Sequence, residues 1–167
     1  MSSQTKNLAK MFVTLLLFAS PALRASEGLK QGDVMPALAG FGLEGRVPAT
    51  QGKIVWLDFC ASWCGPCRAS FPVMDKIHAK YKDKGLVVLG VSVDDDSKKW
   101  QAFVEKQNVS FPLVRDAQHK LVSLAGIEKM PTSFLIDGNG KIVSVHHGFK
   151  GKETEEAVER EIQSLLK

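Results

Sequence analysis

Two cysteines separated by two residues, Cys64 and Cys67, are the groups in this sequence best suited to chemistry. A β-rich apolar run over 54–59 precedes them, and a helical pattern of apolar residues begins at Pro66. Cys64 would therefore lie at a helix start, where free backbone N–H groups and the helix dipole lower the pKa of a thiol from about 8.5 toward neutrality. Cys67 follows one turn later, near enough to close a disulfide, so the pattern predicts dithiol–disulfide exchange.

The apolar run before the pair carries two further candidate groups. Asp58 lies six residues before Cys64, and burial there would raise the pKa of its carboxyl. Perturbed acids near reactive thiols are more often functional than structural, so Asp58 is a candidate catalytic residue; the alternative is a structural carboxyl held by hydrogen bonds. Cys60 would face the same side of the strand, and we expect it to pack as a free thiol rather than act as a third redox group.

The same residues fit no metal or haem site, and we predict no cofactor. The spacing C-x₃-C-x₂-C created by Cys60 matches radical-SAM iron–sulfur enzymes, but the chain is far shorter than their barrel. A four-thiolate zinc site needs a second pair of cysteines, which the sequence lacks. Arg68 stands where c-type haem attachment requires histidine.

The elements that must position the cysteine pair alternate between strand and helix patterns. Strands are predicted at 54–59, 86–93, 132–136 and 142–146, and helices from Pro66 to about 83, then at 98–107, 119–124 and 153–166. Residues 26–52 are interrupted by Gly and Pro, and we expect a pair of strands there that leads into the domain. This order predicts an α/β fold with a mixed sheet.

The first 25 residues read as an export signal. Lys6 and Lys10 precede a short apolar run over 11–22, and a small-residue cleavage site follows Ala25. The run is shorter than the roughly 20 apolar residues of a membrane span. We therefore predict a signal peptide at 1–25, a domain at 26–167, and a location in the periplasm or cell envelope, with membrane anchoring if the signal is retained.

The net charge of the domain gives no support to a nucleic-acid partner. The 167 residues contain 22 basic and 18 acidic side chains, but Lys6, Lys10 and Arg24 in the signal supply three of the positive charges. The remaining 19 basic and 18 acidic residues leave the domain close to neutral, so nothing in the charge favours nucleic acid.

The motifs resemble a known family. The run over 57–67, LDFCASWCGPC, resembles the thioredoxin superfamily, and three further segments are similar to the exported TlpA/ResA-type thiol:disulfide oxidoreductases. These are Gly32-Asp33 with Pro36, the loop at 91–95, and the strand at 130–137. The match covers about residues 29–166 and implies a thioredoxin-like fold, in which helices flank a central mixed β-sheet with an N-terminal strand extension. Cys60 departs from the family, which usually has Trp there.

The resemblance also implies roles for the redox residues. Cys64 would attack a partner disulfide and Cys67 would resolve the mixed disulfide. Asp58 matches the buried acid of thioredoxins that exchanges protons with the second cysteine. In some ResA-like proteins an acid of the next loop lies beside the pair; for Asp95 we instead expect a solvated loop, in which Asp96 or Ser97 caps the following helix.

A separate set of residues would bind the partner protein. Trp63 stands beside Cys64 and would pack against a bound protein. The resemblance implies that the Met130–Pro131 bond is cis, that Pro131 lies against Cys64, and that the Met130 backbone pairs with a substrate peptide as an added strand. The alternative is a simple proline at the start of a strand.

Because Gly65-Pro66 resembles the insert of reducing thioredoxins, the predicted activity is that of a protein-disulfide reductase. Its partners would be protein disulfides and a membrane protein that relays electrons, and the domain would act as a monomer. Three alternatives stay open: a disulfide oxidase or isomerase, a cytochrome c maturation thiol reductase, and a non-enzymatic copper-binding module of the same fold.

Overall fold

Five strands form one mixed sheet in the computed structural model, which describes residues 28–167. The strands are β1 (Ile54–Cys60), β2 (Leu86–Ser92), β3 (Leu113–Arg115), β4 (Thr132–Ile136) and β5 (Ile142–His147). Their order is β3-β2-β1-β4-β5; β1, β2 and β3 are parallel, and β4 is antiparallel to both of its neighbours. The predicted signal peptide at 1–25 lies outside the described residues.

Helices cover both faces of this sheet. They are α1 (Gly65–Tyr81), α2 (Ser97–Gln107), α3 (Lys120–Ala125) and α4 (Lys152–Leu165). One hydrophobic cluster joins α1, α2 and α4 to one face, and a second joins α3 and the N-terminal segment to the other. All seven residues of the central strand β1 are buried, as expected for a strand covered on both faces. The predicted α/β class with a mixed, helix-flanked sheet is confirmed.

The N-terminal segment differs in detail from the expectation. Between residue 28 and β1 there is no strand pair, only a single 3₁₀ turn (Leu38–Phe41) and two isolated β-bridges, which join Val34 to Lys141 and Glu44 to Arg115. Gly42 and Gly45 have positive φ angles, so the chain cannot stay extended long enough to form a ladder. The segment therefore extends the sheet at single residues.

The strand ends place the reactive residues at one edge of the sheet. β1 ends at Cys60, and β2, which runs parallel to it, ends at Ser92. β4 runs in the opposite direction and begins at Thr132, paired with Phe59. The segments after β1, after β2 and before β4 therefore meet at the same edge. None of the helices between residues 28 and 167 has the length and apolarity that a membrane span requires.

Candidate functional site

Cys64 and Cys67 form a disulfide at the start of α1, with their Cα atoms 5.3 Å apart. Cys64 is the N-cap residue in an extended conformation, and its Sγ accepts a hydrogen bond from the Cys67 N–H at 3.2 Å. Pro66 occupies the first turn, where its missing N–H has no helical partner to lose. The predicted position of Cys64 at the helix start is confirmed.

The two sulfur-bearing residues differ in accessibility. Cys64 is 5% exposed, whereas Cys67 is fully buried. Trp63, the residue before Cys64, is 68% exposed and is the most exposed large hydrophobic side chain between residues 28 and 167. An incoming partner would therefore meet Trp63 and Cys64 before Cys67.

The segment before β4 has the expected backbone geometry. The Met130–Pro131 peptide bond is cis, and the carbonyl of Pro131 accepts a hydrogen bond from the Gly148 N–H at 2.7 Å. Met130 is partly buried and packs against the hydrophobic cluster that contains both Cys64 and Cys67. The cis proline strand is thus joined to the cysteine pair through shared packing.

Asp58 is an orphaned acid on the central strand, two residues before the end of β1. Its neighbours across the sheet are Gly90 on β2 and Ser133 on β4. The residue is 3% exposed, and its Oδ2 atom forms no hydrogen bond with the residues between 28 and 167. Burial therefore raises the pKa of the Asp58 carboxyl well above its ordinary value. The alternative interpretation, a structural carboxyl whose two oxygens are both hydrogen-bonded, therefore does not fit the Oδ2 atom.

Cys60 is a free, fully buried thiol, as expected from the sequence. It belongs to the same hydrophobic cluster as Cys64 and Cys67. Burial, followed by the charges of Asp58 and Asp94, raises the pKa of the Cys60 thiol well above its ordinary value. Because the thiolate is the reactive form, this environment disfavours reaction at Cys60. Within residues 28–167 no three His, Cys, Asp or Glu side chains lie close enough together to bind a metal ion.

The acid that holds the active-site loop is Asp94, a residue that the sequence did not single out. Its Oδ1 accepts a hydrogen bond from the Ser62 hydroxyl at 2.6 Å, and its Oδ2 accepts from the Ser62 N–H at 2.9 Å. The Ser92 hydroxyl donates to the same Oδ2 at 2.6 Å. Asp94 thereby ties the residues before Trp63 to the end of β2.

The neighbouring acids of the loop have separate contacts. Asp95 has a side chain that is 91% exposed and lies 3.3 Å from the His119 ring, which agrees with the expected solvated position. Asp96 caps α2 by accepting hydrogen bonds from the N–H groups of Lys98 and Lys99. The predicted cap of α2 by Asp96 is confirmed. The acid that bonds to the segment before the cysteine pair is Asp94, not Asp95.

A second layer fixes the backbone of this acidic loop. Arg115 at the end of β3 donates from Nη1 to the carbonyls of Asp94 (3.0 Å) and Asp95 (2.9 Å). Its Nε and Nη2 atoms contact the Glu44 carboxylate at 2.9 and 2.8 Å. The N-terminal segment is therefore connected through Arg115 to the loop that holds Ser62.

The chain is similar in sequence to known proteins. The AhpC/TSA family model matches residues 40–145. The thiol-disulfide oxidoreductase ResA of Halalkalibacterium halodurans is 35% identical over 134 residues, covering 80% of this chain and 73% of that protein. ResA of Bacillus thuringiensis subsp. konkukian is 30% identical over 142 residues, covering 83% and 80%.

One solved structure is also similar to this chain. It is that of a Chlorobium tepidum protein assigned as a thiol:disulfide interchange protein DsbE, with 39% identity and a TM-score of 0.76. The match covers 84% of this chain and all of that one. The chain therefore belongs to the AhpC/TSA family, among the ResA-like thiol-disulfide oxidoreductases of the thioredoxin superfamily.

Proposed function

We propose that the protein reduces disulfides of exported partner proteins through a cycle between the Cys64–Cys67 disulfide and the dithiol. The observation that carries this proposal is the difference within the pair: Cys64 caps a helix and keeps a small exposed fraction, 5%, next to the exposed Trp63, while Cys67 is fully buried. The helix start stabilises a Cys64 thiolate as nucleophile, and the buried Cys67 is suited to the intramolecular step.

The proposed reaction transfers two electrons to the partner. The Cys64 thiolate attacks one sulfur of the partner disulfide, the S–S bond breaks, and a mixed disulfide forms while one partner thiol leaves. Cys67 then loses its proton and attacks the Sγ of Cys64. The mixed disulfide breaks, the second partner thiol leaves, and the protein is left with the Cys64–Cys67 disulfide.

Asp58 is the proposed acceptor for the proton of Cys67. A buried thiol has no direct access to water, so the resolving step needs a base inside the protein. The Oδ2 atom of Asp58 has no hydrogen-bond partner between residues 28 and 167, and burial raises the pKa of its carboxyl, so this carboxyl binds a proton more readily than an ordinary aspartate. No donor between residues 28 and 167 bonds to that oxygen, so its lone pairs stay available to accept the proton.

The partner protein would bind across Trp63 and the cis-proline strand. The exposed Trp63 ring offers an apolar contact beside Cys64, since solvent-exposed aromatic residues are favoured at interfaces. The backbone of Met130, next to Pro131, would pair with an extended peptide of the partner. Both contacts hold a disulfide over Cys64 and leave Cys67 covered.

The N-terminal signal pattern supports an exported location, and an exported reductase needs a source of electrons. Export places the protein in an oxidising compartment, where the disulfide formed in each cycle must be reduced again. We propose that a membrane protein relaying electrons from the cytoplasm does this, and that the domain at 26–167 works as a monomer.

A redox titration of the domain tests the proposed direction of the reaction. The Gly65-Pro66 insert predicts a reduction potential nearer that of thioredoxin, about −270 mV, than that of DsbA, about −120 mV. A potential near the DsbA end would assign the protein as an oxidase. The roles within the pair are tested separately: Cys67→Ser should trap partners as mixed disulfides and Cys64→Ser should not.

A further inference from the structure

We propose that a cationic groove between α1 and α2 docks an acidic stretch of the disulfide-bearing partner protein. The groove has a volume of about 390 Å³ and its lining includes Ser62, Arg68, Lys99, Phe103 and Lys106. This inference rests on the proposed reductase function and specifies which partners it favours.

The groove adjoins the catalytic segment. Ser62 forms one end of it, two residues before Cys64. The Arg68 guanidinium donates from Nη1 to the Ser62 carbonyl at 2.8 Å. Its Nη2 lies 3.9 Å from the position that a Cβ atom would have on Gly65, between the two cysteines. A partner segment in the groove would therefore reach the disulfide without a long connection.

The other two cations come from one face of α2. Lys99 and Lys106 are separated by seven residues, or two helical turns, and Phe103 lies between them on the same face. Both lysines are exposed, while Phe103 is 7% exposed and closes the floor of the groove. The face thus presents two flexible charges on either side of an apolar surface.

These charges have no acidic partner in the part of the chain that the structure describes. Within residues 28–167, Arg68, Lys99 and Lys106 form no ion pair, and no acidic side chain lines the groove. The nearby acid Asp96 is occupied by the N–H groups of Lys98 and Lys99.

Two lysines further along α1 differ from these cations. Lys76 and Lys80 are ion-paired with Glu155 and Glu159 of α4. Arg68, Lys99 and Lys106 therefore gather three cations without an acidic partner in one groove next to the cysteine pair. Carboxylates of a partner protein would neutralise these charges there and speed encounter.

The proposal is tested with three synthetic peptides that carry the same internal disulfide. They differ only in a flanking run of Glu, Gln or Lys. The rate at which the reduced protein reduces each peptide is measured at about 0.01 M and about 1 M salt, where the Debye length falls from roughly 30 to roughly 3 Å. We expect the Glu peptide to react about tenfold faster than the Gln peptide at low salt, and the difference to vanish at high salt.

A matched pair of variants assigns the preference to the groove. In Lys99→Glu/Lys106→Glu the preference for the Glu peptide should be lost, while the rate with the Gln peptide stays the same. The control Lys53→Glu/Lys141→Glu makes the same charge change just before β1 and β5, at the opposite end of the sheet, and should keep the preference. Equal rates for all three peptides, or equal losses in both variants, would overturn the docking proposal. If the parent protein reduces none of the three peptides, the reductase function itself is wrong.

Discussion

Asp58 and Asp94 are both buried acids at the active-site end of the sheet, and their surroundings are opposite. Asp58 is 3% and Asp94 is 4% exposed, and the charges of both raise the pKa of the Cys60 thiol. Asp94 accepts three hydrogen bonds from Ser62 and Ser92, whereas Oδ2 of Asp58 accepts none between residues 28 and 167. Burial is therefore the same in both, and the number of donors distinguishes a structural acid from a candidate proton acceptor.

The difference has an energetic meaning. A buried polar group left without a hydrogen-bond partner costs about 1–3 kcal/mol of free energy, and more when it is charged, and native structures keep few such groups. Asp94 avoids this cost through its serine donors and in return fixes the segment before Trp63. Asp58 retains the cost, which is what a proton acceptor with free lone pairs requires. The following variants test that distinction, starting with the largest expected effect on stability.

Asp94→Asn should lower the free energy of unfolding by about 2–3 kcal/mol, because the amide has one acceptor oxygen in place of two and lacks the charge that strengthens the hydrogen bonds from Ser62 and Ser92. Urea denaturation at neutral pH measures the change. The control Asp95→Asn alters a neighbouring exposed acid and should stay within about 0.5 kcal/mol of the parent protein. If Asp94→Asn is as mild as the control, the hydrogen bonds to Ser62 do not hold the loop.

Asp58→Asn should do the opposite and stabilise the domain at neutral pH. The pKa of the Asp58 carboxyl is raised in the folded state, so the native protein holds a proton that the unfolded chain releases above pH about 3.9. Native stability therefore falls as the pH rises, by up to about 1.4 kcal/mol per pH unit, until the folded pKa is passed.

Asparagine carries no such dependence. The stability advantage of Asp58→Asn should be small near pH 3 and should grow toward neutrality, which melting temperatures across this pH range would reveal. An advantage that does not change with pH would mean that Asp58 is solvated in the native protein.

Cys60→Ala should have the smallest effect, because we expect this buried thiol to take no part in the cycle. Loss of one buried sulfur should cost about 1 kcal/mol, and the disulfide-reduction rate should not change. Mass mapping of the oxidised parent protein should find only the Cys64–Cys67 bond. A substantial species that links Cys60 to Cys64 would make it a third redox thiol.

The same pair of acids explains what could be predicted from the sequence. Asp58 was identified because its surroundings are set by one apolar strand, which is visible as a continuous run of residues. Asp94 was missed because it is one of three consecutive acids, and its main partner, Ser62, is 32 residues away. Only the parallel pairing of β1 with β2 brings them together.

The strands likewise could be predicted where a continuous run of residues sets them. β4 was predicted with its bounds because five buried residues lie between Pro131 and a turn at 137–140. β3 has three residues, too few for a period to be recognised, and Arg115, which holds the acidic loop, could not be found without it. For the segment before β1 the sequence predicts too much structure. Its short apolar pieces resemble strands, but they make only single bridges.

The central claim, that Asp58 takes the proton of Cys67, is tested most directly by stopped-flow reaction of the reduced domain with an aromatic disulfide whose thiol product absorbs light. Attack by Cys64 releases one coloured thiol and resolution by Cys67 releases the second, so the two steps separate in time. At pH 7, Asp58→Asn should leave the first phase unchanged and slow the second about a hundredfold, the lower range for loss of a positioned base. An unchanged second phase, or equal slowing of both phases, would contradict this role for Asp58.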